Sequence, residues 1–78
     1  MARQALSRQM RARGVALSKR LKQEREKRDL SQDQLAVRAK VGVDVVRAIE
    51  QQRICAPSVF TVLDLAKALG KRIDQLLK

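Results

Sequence analysis

The residues of this 78-residue chain that carry chemistry are cations: eighteen Lys and Arg stand against eight Asp and Glu, with no histidine and a formal net charge of +10 at pH 7. Such an excess implies a polyanionic partner. It is unevenly spread, because residues 1 to 28 hold ten basic and two acidic side chains whereas residues 29 to 78 hold eight and six. After Gly42, Arg47 is the one strong hydrogen-bond donor among Val43, Asp44 and Ala48. An arginine offers paired N–H groups to a phosphate or another planar acceptor. Val43 and Ala48 offer only apolar contact, and Asp44 offers only acceptor oxygens.

The same inventory excludes most other chemistry. The lone Cys55 has no imidazole to activate it, no glycine-rich phosphate loop occurs, and the carboxylates lack the paired spacing that metal or acid–base work requires. No enzyme, cofactor or metal site is expected. Phe60 is the only aromatic residue, too little for a base-stacking platform on single strands. No apolar run reaches a bilayer span, no signal-peptide stretch opens the chain, and the basic N-terminal third lacks aromatic anchors. No membrane partner is expected, and the expected compartment is the cytoplasm. A single cysteine forms no intrachain disulfide, which suits a reducing compartment, and Cys55 reads as a small apolar loop residue.

Helices must position these groups. The composition, 45% hydrophobic and 33% charged with three glycines and one proline, favours an all-α domain. Residues 1–14 read as a basic arm or marginal helix ending at Gly14, and residues 15–78 as the folded domain. Leu17 and Leu21 mark an amphipathic helix from Val15 to Arg28. Ser31 is placed to cap a second helix over 32–39, with Gln34 able to complete a capping box. Leu35, Ala36 and Ala39 give that helix its apolar face. Lys40-Val41-Gly42 forms the turn, with Val41 as a buried plug. A third helix over about 43–51 places Val46, Ile49 and Val45 inward. Pro57-Ser58 starts a fourth helix over about 59–69, whose expected core face is Val59, Val62, Leu65, Ala66 and Leu69; Gly70 ends it in a left-handed cap. A last turn returns Ile73, Leu76 and Leu77 to the core.

Over residues 15 to 77 the chain resembles the Cro/repressor-type helix-turn-helix domains, the XRE family. The resemblance rests on Leu21-Lys22-Gln23-Glu24-Arg25-Glu26-Lys27-Arg28, Leu30-Ser31-Gln32-Asp33-Gln34-Leu35-Ala36, Ile49-Glu50, Pro57-Ser58, and Leu65 to Gly70 followed by Ile73-Asp74-Gln75-Leu76-Leu77. It implies a five-helix, lambda-repressor-like fold in which helix 3 lies in a DNA major groove and helix 2 crosses the phosphate backbone. By position, Gln32 is implied to hydrogen-bond a phosphate. Gly42, Val43, Asp44, Arg47 and Ala48 are implied to address bases and flanking phosphates. Arg25 and Glu50 are implied to form an ion pair tying helix 1 to helix 3, with an architectural role. Two positions depart from the family pattern: Lys40 stands where glycine is usual, and Gly42 replaces the usual Ser or Thr cap.

The leading expectation is therefore a repressor-like, sequence-specific transcriptional regulator that binds a palindromic duplex DNA operator as a homodimer. Arg38, Lys40 and Arg53 are candidate phosphate contacts, and Arg3, Arg8, Arg11 and Arg13 are expected to follow the backbone or a minor groove. A rival expectation is an antitoxin or adaptor module acting through protein contacts. Phe60, read as exposed in the first turn of helix 4, would be its anchor.

Overall fold

The computed structural model describes residues 2–54 and 56–77, without the side chains of residues 2–7 and 10. The expectations for Cys55 and for the Arg3, Leu6 and Met10 side chains lie outside the described residues. The described chain is all-helical: α1 (Ala2–Lys27), α2 (Gln32–Ala39), α3 (Val43–Glu50), α4 (Val59–Ala68) and α5 (Ile73–Leu77).

The local signals explain the boundaries. Helix α1 closes on Asp29, whose φ of 54° lets the Leu30 amide donate back to the Arg25 carbonyl at 3.2 Å. The capping box forms, with the Gln34 amide donating to Ser31 Oγ at 3.0 Å and the Ser31 amide to Gln34 Oε1 at 2.8 Å. Ser58 caps α4 in the same sense, accepting from the Thr61 amide at 3.1 Å. Gly70 ends that helix at φ 68°, a conformation glycine adopts without steric cost.

One boundary differs from expectation. Helix α1 runs unbroken through Gly14, which is buried and shares a small cleft with Gln52 and Ile54 of the segment after α3. An interior glycine costs about 0.5–1 kcal/mol relative to alanine, a penalty the Ala, Arg, Gln and Leu around it can outweigh.

The five helices pack α1 on α3 and α5, α2 on α3 and α4, and α4 on α5. Leu17 and Leu21 of α1 meet Leu35, Val46, Ile49, Leu65, Leu69 and Leu76 in one core, with Ala36, Ala39 and Ala66 allowing close approach. Each such leucine is worth roughly 1.5–3 kcal/mol of burial. Val41, Val45 and Ile73 pack partly buried against it. Val59 and Leu77 were expected in this core, but they are 60% and 46% exposed. Val59 opens α4 and Leu77 closes α5, and they line an open apolar groove of about 260 Å³ with Leu17, Pro57, Val62 and Ile73, which leaves one side of each in solvent.

Glu24 is the acidic residue most deeply set in α1. Arg28 Nη1 donates to it at 2.8 Å, with Lys27 at 3.5 Å and Lys71 at 4.0 Å. The Arg28 hydrogen bond, chiefly, holds its carboxyl below the usual range against the opposing effect of burial. The pair α1–Lys71 thereby fastens the first helix to the turn before α5.

Candidate nucleic-acid interface

An eight-residue helix is too short to persist alone, so α3 must be held by its neighbours. The hub is Glu50. Its buried carboxylate accepts from Arg25 Nε at 2.8 Å (Oε2), Arg25 Nη2 at 3.0 Å (Oε1) and Gln32 Nε2 at 3.0 Å (Oε1). Arg25 also donates through Nη1 to the Leu30 carbonyl at 2.7 Å, and the Ser18 hydroxyl donates to the Glu50 backbone carbonyl at 2.8 Å. The bidentate fork raises the Arg25 pKa further above its ordinary value. Helix α1 thus fixes the C-terminal end of α3, and α2 adds Gln32 from its first turn. Gln32 spends one of its two side-chain N–H groups on this hub, which leaves the other outside it.

The turn before α3 is set by Lys40 at φ 59°, with the Val41 amide donating to the Ala36 carbonyl at 3.0 Å. A non-glycine residue there is strained. Lys40→Gly is expected to stabilise the domain by about 0.5–1 kcal/mol and to raise its melting midpoint by roughly 2–8 °C, read by circular dichroism. The same substitution removes an exposed cation, so DNA affinity is expected to fall while stability rises.

Gly42 caps α3 through its carbonyl only, accepting from the Val45 amide at 3.0 Å. Asp44 sits in the first turn, where its charge meets the positive end of the helix. The inward stripe is Val46, Ala48 and Ile49; the outward face carries Asp44, Arg47 and Gln51 at i, i+3 and i+7. Ala48 was expected on that outward face, but it is only 9% exposed, because it lies one position round the helix from Arg47, next to the buried Ile49. The exposed Gln51, the C-cap residue of α3, follows Arg47 one turn on. The continuing helical spacing past Arg47 was the signal that could have found it. Gly42 is exposed and Val43 half-buried against the core.

Arg47 is not free in solvent: its Nη2 lies 3.4 Å from Asp33 Oδ1, in the first turn of α2. Nothing in the spacing of the sequence pointed to this contact between α2 and α3. Arg38, Lys40 and Arg53 are all exposed, on α2, the turn and the segment after α3. Two arginines of α1 part company. Arg11 borders the cleft with Gln52 and Ile54, whereas Arg13 borders the apolar groove with Val59 and Leu77.

Two short helices joined by a tight turn, the second held so that one side faces solvent, define a helix-turn-helix domain of the DNA-binding class. Residues 21–76 match the model of a helix-turn-helix family, and the chain belongs to that family, the Cro/repressor-type or XRE group. It is thus a DNA-binding helix-turn-helix regulator. No curated protein and no solved structure matched the chain. Among the described residues no group of acidic, Cys and His side chains is arranged to hold a metal ion, and no helix is long and apolar enough to cross a membrane.

Proposed function

We propose that the chain is a repressor-like transcriptional regulator that reads a palindromic operator as a homodimer, each copy placing α3 in a major groove and the half-sites lying roughly 34 Å apart. The observation that carries this reading is the uncovered outer side of α3, where Asp44, Arg47 and Gln51 stand clear of the core. Arg47 offers donors to guanine and Gln51 a donor–acceptor pair to adenine. Gln32, Arg38, Lys40, Arg53 and Arg11 are the proposed phosphate contacts, and Gly42 and Val43 allow close approach at the start of α3. The homodimer is proposed because a domain this small buries little surface alone. The cytoplasm is the proposed compartment, in keeping with the single cysteine.

The test is a titration of generic duplex DNA at 50 and 200 mM salt. Affinity is expected to fall steeply with salt as counterions are reabsorbed, and no binding at 50 mM overturns the reading. Arg47→Ala is then expected to weaken a selected site by about 5- to 150-fold while sparing generic binding. An equal loss on both would reduce Arg47 to a phosphate contact.

A second reading, an antitoxin or adaptor working through protein contacts, is favoured by one observation. Phe60 is 74% exposed and follows the exposed Val59, which lines the apolar groove. Aromatic anchors of that kind are common at interfaces. Phe60→Ser that leaves DNA binding intact but abolishes a partner's capture would support it.

A further inference from the structure

An acidic side chain at the edge of a surface that meets a polyanion weakens binding unless it does something else there. Asp33 is 70% exposed in its side chain and stands beside Gln32, whose amide grips Glu50. Its carboxylate is the one group among the described residues that holds Arg47. Consecutive residues of the α2 first turn therefore grip two α3 residues one turn apart, Gln32 to Glu50 and Asp33 to Arg47. The frame behind that grip is rigid, because the Ser31–Gln34 capping box locks the α2 N-terminus.

Folding stability does not explain the pair. With the Asp33 and Arg47 side chains 70% and 45% exposed and a separation of 3.4 Å, it belongs to the class of surface ion pairs that contribute little. What the pair changes is the freedom of Arg47. A guanidinium has five N–H donors, and one held by Asp33 leaves the remainder directed outward with fewer rotamers to lose on binding.

We propose that Asp33 is a positioning residue: it aims the Arg47 guanidinium at a base edge and thereby sharpens sequence preference, at some expense in overall affinity for DNA. The proposal rests on the reading of α3 as the groove helix.

The experiment uses the full chain. A duplex is first selected from a random pool by the wild type, and Kd is then measured on that duplex and on a generic one, at one salt concentration, for wild type, Asp33→Asn, Arg47→Ala and the double variant. Asp33→Asn is expected to lower the specific-to-generic ratio by about fivefold or more, with generic binding unchanged or tighter. In the Arg47→Ala background it is expected to lower the ratio no further, as for two residues acting as one unit. Its melting midpoint is expected to stay at the wild-type value, which separates positioning from a folding defect.

If Asp33→Asn tightens both duplexes by the same factor, Asp33 merely repels phosphate and the proposal falls. An unchanged ratio in a protein whose wild type does select a site overturns the proposal alone. A wild type that binds neither duplex at 50 mM salt overturns the groove reading, and the proposal with it.

Discussion

Arg25→Ala is expected to cost about 3–5 kcal/mol of folding stability, as followed by urea titration. The reason is Glu50. Its side chain is only 4% exposed, so removing the fork of Arg25 strands a carboxylate that Gln32 alone cannot satisfy. For a chain of 78 residues the whole stability is of the order of 4–12 kcal/mol, so this loss is a large share of it. The double replacement Arg25→Met with Glu50→Leu is expected to recover most of the loss, since two apolar side chains of similar volume need no partner. The Leu30 carbonyl, which loses Arg25 Nη1, limits the recovery. If the double variant is as unstable as Arg25→Ala, the penalty does not come from a stranded charge.

The second large effect is on salt dependence. If Arg8, Arg11 and Arg53 each neutralise one phosphate, replacing all three by glutamine lowers the slope of log affinity against log salt by about 2.7. Between 50 and 200 mM salt that change amounts to roughly 40-fold less loss of affinity than wild type shows. Arg13→Gln is expected to leave the slope unchanged, because Arg13 borders the groove of Val59 and Leu77 rather than the cleft with Gln52 and Ile54. Filter or fluorescence titrations at four or five salt concentrations supply both slopes. An equal effect of Arg13→Gln would show that α1 follows DNA along its whole length rather than by one side.

How much of this was legible in advance follows from the range of the forces involved. Caps act over three or four residues, so Ser31 with Gln34, Ser58 and Gly70 could be placed from their own segments, and α2, α4 and α5 start where those signals put them. The core stripes of α2 and α3 were legible for the same reason. The Arg25–Glu50 pair came through the family resemblance. Gly14 misled because a glycine's cost is judged locally, whereas its place in α1 depends on a helix long enough to absorb it. Ala48 was misplaced because a quarter-turn of rotation about α3 is decided by what packs behind it. The grip of Asp33 on Arg47 joins residues fourteen apart, a separation at which spacing carries no signal.

In α3 and its C-cap the side chains turned inward, Val46, Ala48 and Ile49, share none of their positions with those left exposed, Asp44, Arg47 and Gln51. Heredity can therefore redraft the second set while leaving the first untouched. A lineage carrying this scaffold is free to drift from one target to another by a handful of codon changes, each paid for at the bound site and hardly at all in the cell's supply of folded protein.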